Sequence, residues 1–211
     1  MCGRFNYGSD ISQVQGWTDT LVNWPNQSDN YNVAPTSQIT AFPSNSGELM
    51  RWGMIAHWSK EFDSKFATFN ARIETVEDKP TFRNAWKKSQ RCLIPMTGYF
   101  EWKGEKGDKQ PFYITNRDEG IIVTAGLYEV WGDNQRSCTM LTMPANEELV
   151  HIHARMPIML NTEPANDWLS GKLDKNSLIL TEAPNVIYYP VSKEVGNARN
   201  NSARLIDPID L

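Results

Sequence analysis

The second residue of the chain is a cysteine, so removal of Met1 would leave it with two reactive groups, a free α-amine and a thiol. Methionine ahead of a small residue is commonly removed. An α-amine has a pKa of about 7.7–8.0 against about 10.4 for lysine, so far more of it is neutral and nucleophilic at pH 7. Such an amine condenses with an aldehyde to a Schiff base. The neighbouring thiol can then close onto the imine carbon as a thiazolidine, a ring that lysine cannot form. Gly3 adds local flexibility, and Arg4 could depress the thiol pKa or hold a phosphate.

Three further segments carry candidate partners. Asn70 and Arg72 follow a strand-like run two positions apart, which puts an amide and a guanidinium on one strand face. In Gly98-Tyr99-Phe100-Glu101-Trp102 a single carboxylate sits among aromatics. Desolvation there would raise its pKa and suit it to proton transfer; a strand-edge carboxylate facing water is the plainer alternative. His151 and His153 are two of the three histidines. In an extended segment their rings would share a face and could ligate a metal, but no HExxH or Cys/His spacing supplies further ligands, so no metal is expected. His153 acting alone as a general acid, with Arg155 nearby for a phosphate, needs fewer coincidences.

The elements that must position these residues read as mostly strands. The 211 residues suit one domain over 1–211, and 40% apolar with 22% charged residues is ordinary for a globular chain. Segments 38–42, 49–55, 66–73, 92–102, 111–115, 121–130, 137–142, 157–160 and 186–191 are rich in β-branched, aromatic and apolar residues and read as strands. Short helices are predicted around 80–88, with Pro80 suited to the first helical position, and around 146–150 and 164–169. Another is predicted after Ser9, with Ile11, Val14, Trp17 and Leu21 on one face. Many strands and few helices without βαβ alternation imply an α+β or mainly β class.

Bulk properties narrow the partners. Cys2, Cys92 and Cys138 are odd in number and form no CxxC pair, which fits free thiols in a reducing cytoplasm. No signal-like segment opens the chain and no apolar run approaches membrane-spanning length. A net charge of −4 argues against a general nucleic-acid coat but leaves room for a local basic groove. Arg4 is the one basic residue of positions 1–50, whereas 79–100 hold Lys79, Arg83, Lys87, Lys88 and Arg91 with no acidic residue. A solvated helix face would explain this second cluster equally well.

Taken in order, MCGRF at 1–5, YNVAPT at 31–36, WGMIAHW at 52–58, NARIET at 70–75, RCLIPMTGYFEW at 91–102, AGLYE at 125–129, HARMPIML at 153–160 and PVSKEVGNARN at 190–200 resemble the SOS-response-associated peptidase family. The resemblance implies an α+β, mainly β domain with strands curled into an open barrel. It implies that Cys2 supplies both amine and thiol to the ring-opened sugar of an abasic site in single-stranded DNA. Asn70 would hold the Cys2 backbone, Glu101 would move protons to and from the amine, and His153 would protonate the sugar ring oxygen. Arg4, Arg72 and Arg155 would grip phosphates, while Trp58 and the turn from Asn32 to Pro35 would pack against bases or sugar. The resemblance further implies a self-processing step that releases Met1, strand cleavage as a side activity, and a monomer that needs no cofactor. It would work in the cytoplasm, at the nucleoid in a bacterial host.

Two departures stand out. Ser59 follows Trp58 where relatives often carry a second apolar residue, which would weaken stacking. Ala154 stands where an aspartate is common, removing a hydrogen-bond partner beside the site. Two other readings use the same residues: a glutamine amidohydrolase whose N-terminal cysteine uses its own amine as base, and a non-covalent single-strand-binding module in which Cys2 is incidental.

Overall fold

In the computed structural model, the structure describes residues 2–8, 11–13, 16–17, 19–62, 68–105, 107–118 and 120–211. In chain order the strands are β1 (Phe5–Tyr7), β2 (Asn30–Val33), β3 (Gln38–Ala41), β4 (Glu48–Trp52), β5 (Asn70–Arg72), β6 (Arg91–Met96) and β7 (Gly98–Lys103). They continue as β8 (Gln110–Asn116), β9 (Ile122–Trp131), β10 (Gln135–Pro144), β11 (Arg155–Pro157), β12 (Met159–Leu160) and β13 (Val186–Pro190). The helices are α1 (Pro80–Lys87), α2 (Thr162–Leu169) and α3 (Lys175–Ile179).

These strands form two sheets. One runs β13-β8-β7-β1-β2 and is antiparallel throughout. The other runs β12-β9-β10-β4-β3, with β6 on β9 and both β5 and β11 on β10. The sheets curl around a shared apolar core without closing into a barrel, and the α+β, mainly β class expected from sequence is the class observed. No helix among the described residues is long and apolar enough to cross a membrane.

The segment expected as one strand, 92–102, is two strands in different sheets. Cys92 to Met96 are all buried, as suits a strand covered on both faces. Leu93 donates its N–H away from β9, to the Phe42 carbonyl. Pro95, two residues on, faces the same way, so its missing N–H leaves the β9 ladder intact. At Thr97 the chain turns onto β1, with the Thr97 N–H donating to the Asn6 carbonyl at 3.0 Å. Gly98 then passes so close to β8 that an added Cβ would lie 2.6 Å from the Ile114 carbonyl oxygen and 2.4 Å from the Tyr113 ring. Only glycine fits there, and the fit brings β1, with Cys2 just before it, against β7.

Other boundaries moved for local reasons. Strand β4 stops at Trp52 because Gly53 takes a φ of 132°. In the 66–73 segment only Asn70–Arg72 is a strand, and residues 66 and 67 lie outside the described ones. Helix α1 begins at Pro80 as expected, and α2 contains 164–169. The 146–150 segment is a set of turns, not a helix. The predicted N-terminal helix is a 3-10 turn at Ile11–Gln13, and Ser9 and Val14 lie outside the described residues. Strands β1 and β2 escape a sequence reading because each buries an asparagine, Asn6 and Asn32, on a short polar-looking segment.

Candidate active site

The first of the two sheets builds the floor. Phe5 of β1 pairs with Tyr99 of β7, Tyr99 pairs with Ile114 of β8, and Glu101 pairs with Phe112. Alternation along the strands therefore sets Tyr99, Glu101 and Ile114 on one face. The Phe100 N–H donates to the Arg4 carbonyl at 3.0 Å, holding the N-terminal segment across β7. Cys2 is fully buried, with Sγ 3.8 Å from the Arg4 carbonyl oxygen. Burial pushes its thiol well above the ordinary cysteine range, and the Glu101 carboxylate adds to the shift. Tyr99, also buried, is raised by burial and then by Cys2 and Glu101. Glu101 is only 4% exposed.

The second sheet supplies the walls. Strand β5 runs parallel to β10, with Asn70 opposite Met140 and Arg72 opposite Thr142. From there Asn70 Nδ2 donates to the Cys2 carbonyl oxygen at 2.6 Å, while its Oδ1 is buried with no hydrogen-bond partner among the described residues. On the other side, β10 and β11 form an antiparallel pair, and the loop between them closes where Ala145 N–H meets the Ala154 carbonyl. His153 ends this loop. The Arg155 backbone N–H points at His153 Nδ1 (3.0 Å). A backbone N–H can only donate, so in this contact Nδ1 accepts, which belongs to the tautomer with its proton on Nε2. The Arg155 carbonyl lies 3.1 Å from the same nitrogen and gives a protonated ring a partner. A narrow cleft lined by Tyr99, Glu101, Ile114, Leu149, Ile152, His153 and Arg155 brings the carboxylate and the imidazole together.

The three arginines have different surroundings. Arg4 donates to Asn32 Oδ1 (2.8 Å) and to the carbonyls of Val195 (2.9 Å) and Gly196 (3.3 Å). Buried Asn32 in turn donates from Nδ2 to the carbonyls of Val195, Asn197 and Asn200, tying β2 to the 195–200 segment. Arg155 meets both oxygens of Glu74, at 2.8 and 2.9 Å, and the carbonyl of Thr142 at 2.7 Å. Arg72 has an exposed side chain.

Trp58 is 53% exposed and stands edge-on to His57, with ring centroids 4.8 Å apart. Pro35 begins a turn closed by the Ser37 N–H on the Ala34 carbonyl. Thr36 follows at a φ of 80°, a strained conformation for a β-branched residue.

The structure thus brings Glu101 and His153 to one cleft and ties Asn70 to Cys2, whose thiol feels the Glu101 carboxylate. It leaves Trp58 and Arg72 exposed and Pro35 half-buried in its turn, and ties Arg4 and Arg155 into internal networks. His151 packs on Tyr188 at 5.0 Å between centroids, whereas the His153 ring lines the cleft, so the two histidines have separate surroundings. Among the described residues no group of three His, Cys, Asp or Glu side chains could hold a metal. Sequence reasoning missed Tyr99 and Glu74. Both lie inside quoted motifs, and Glu74, as the acid of NARIET, was the readable signal.

Known proteins resemble this chain along nearly its whole length. The chain is 34% identical to the abasic site processing protein YoaM of Bacillus subtilis over a 223-residue alignment covering 98% of each chain. It is 32% identical to the abasic site processing protein YoqW of the same organism, over 98% of this chain and 99% of the relative. A crystal structure of a protein from Bacteroides thetaiotaomicron superposes with a TM-score of 0.82 at 23% identity, over 99% of this chain and 100% of that one, a likeness of fold. Residues 1–198 match the family described as SOS response associated peptidase (SRAP), and the chain belongs to that family.

Proposed function

We propose that this protein captures abasic sites in single-stranded DNA as a covalent thiazolidine on Cys2, after Met1 has been removed at the same site. The observation that carries the reading is the Asn70 amide on the Cys2 carbonyl at 2.6 Å, which fixes the nucleophile's backbone beside Glu101. Its relatives' names, abasic site processing proteins, point to the same substrate.

The chemistry follows from the groups present. The ring-opened sugar offers an aldehyde. The neutral Cys2 amine attacks its carbon, the carbinolamine loses water, and a C=N bond forms. Sulfur then adds to that carbon while the thiol proton passes to nitrogen, so protein plus DNA less one water is the product. Because burial keeps the thiol protonated, the amine makes the first attack and the thiol closes the ring. Glu101 takes a proton from the amine and returns it to the departing hydroxyl. His153 donates from Nε2 to the sugar ring oxygen and favours the open aldehyde. Arg72 and Trp58 hold the strand by charge and stacking, with little base readout. Arg4, Asn32 and Pro35 shape the path near the N-terminal segment, and Arg155, paired with Glu74, borders it beside His153. Strand cleavage would be a side reaction of the imine, and the protein would act in the cytoplasm as a monomer without a cofactor.

Intact mass of the protein after incubation with an oligonucleotide carrying one abasic site tests the reading. The expected product is protein plus DNA less one water, absent in Cys2→Ala. Non-covalent binding without that product would overturn it, and hydrolysis of glutamine would favour the amidohydrolase instead.

A further inference from the structure

Glu74 lies four residues after Asn70, in the 3-10 turn Ile73–Thr75 that ends β5. One short segment therefore touches both Cys2 and Arg155, a residue of the cleft wall. Its start, Asn70, holds the Cys2 carbonyl; its end, Glu74, holds Arg155 by a two-pronged ion pair. Arg155 is the residue whose backbone N–H meets His153 Nδ1.

We infer that Glu74 is a positioning residue for His153, acting through Arg155 to fix the ring's tautomer and aim. This rests on the proposed role of His153 as the acid that opens the sugar. Paired guanidinium and carboxylate give a rigid planar contact, and the Thr142 carbonyl (2.7 Å) and hydroxyl (3.3 Å) complete the clamp. The Arg155 side chain is 14% exposed and that of Glu74 41%, so the clamp is held firmly on its arginine side while its carboxylate meets water. Its hydrogen bond holds the Glu74 carboxyl below the usual carboxylate range, so the pair is charged at neutral pH. With the guanidinium pinned at four points, the Arg155 backbone is fixed and its N–H stays on Nδ1, leaving the proton on Nε2. A second consequence concerns charge: Glu74 neutralises Arg155, so this arginine serves geometry more than phosphate attraction.

Glu74→Gln keeps the shape of the side chain and removes its charge. In single-turnover assays at saturating protein, the rate of adduct formation on an abasic-site oligonucleotide should fall about tenfold, part of the ~10²–10⁴-fold a positioned acid contributes. Affinity for an undamaged single strand of the same length, measured by fluorescence anisotropy, should stay the same or tighten. In the double variant with Arg155→Gln the rate should be no lower than in Arg155→Gln alone, because both changes break one chain of contacts. An unchanged rate, parallel loss of rate and affinity, or additive losses in the double variant would each overturn the inference. Ring ¹⁵N shifts of His153 test it without DNA. Wild type should show an unprotonated Nδ1 and protonated Nε2, and Glu74→Gln should average the two; identical shifts would overturn it. If wild type forms no adduct at all, the reading of the site fails, and the ring shifts still decide whether Glu74 positions His153.

Discussion

Arg155 approaches the end of β10 from one side with its guanidinium clamped by Glu74 and Thr142. Arg72, opposite Thr142 on the other side, carries an exposed side chain. Arg4 sorts with Arg155, being tied to Asn32 and to two carbonyls of the C-terminal segment. The same residue type thus does two jobs. Inside, a guanidinium with several protein acceptors is a strut, and its position is determined before any ligand arrives. At the rim, an exposed guanidinium and the half-exposed Trp58 can follow a flexible strand. A reaction that needs the nucleophile, proton shuttle and acid within one cleft calls for the first kind, and a ligand of variable sequence calls for the second.

The sharpest way to break this division is at Glu101. If the interior performs chemistry and the rim binds, Glu101→Gln should slow adduct formation by about 10²-fold at saturating protein, while affinity for undamaged single strands changes little. Equal loss of both would show that Glu101 merely supports the sheet and would dissolve the distinction. The rim should behave in the opposite way. Trp58→Ala should weaken single-strand binding about tenfold, as loss of one base stack predicts, and Arg72→Gln should lower the slope of log affinity against log salt by about 0.7. Neither should change the saturated rate. A rate effect in either variant would move that residue from the rim to the reacting centre.

The candidate residues were legible in the sequence, but their division was not, since Arg4, Arg72 and Arg155 all read there as phosphate contacts. Cys2, Asn70, Glu101 and His153 stand in short segments whose residue types already suggest a chemistry, whereas the shared face of Tyr99 and Glu101 emerged only with the observed strand register. The fold class followed from β-branched and aromatic runs. What stayed hidden depends on contacts between distant segments. Nothing local in MCGRF says that Arg4 will meet carbonyls near residue 195, or that Asn32 will collect three of them. The break at Thr97 was masked because Cys92–Trp102 is apolar throughout, and apolar runs do not mark where a chain leaves one sheet for another. Strands β1 and β2 were masked by buried asparagines whose partners, Tyr113 and the 195–200 carbonyls, lie far along the chain.

The smallest expected effect is on stability, and it separates the two kinds of arginine by pH. Arg155 lowers the Glu74 carboxyl below its ordinary value, chiefly through their hydrogen bond. A carboxyl whose folded pKa is depressed stabilises the fold above its unfolded pKa, and that contribution is lost as pH falls through the folded value. The melting temperature of wild type minus that of Glu74→Gln should therefore be positive near neutral pH and shrink toward zero as the solution is acidified below about pH 4. The gap should be small, because the Glu74 side chain is 41% exposed and water screens it. Arg72 is the last and weakest cause of that shift and makes no hydrogen bond to Glu74 among the described residues, so the melting difference between wild type and Arg72→Gln should change much less over the same range. A Glu74 difference that stayed constant with pH would mean that the carboxylate charge does not hold Arg155, and the strut would then rest on Thr142 alone.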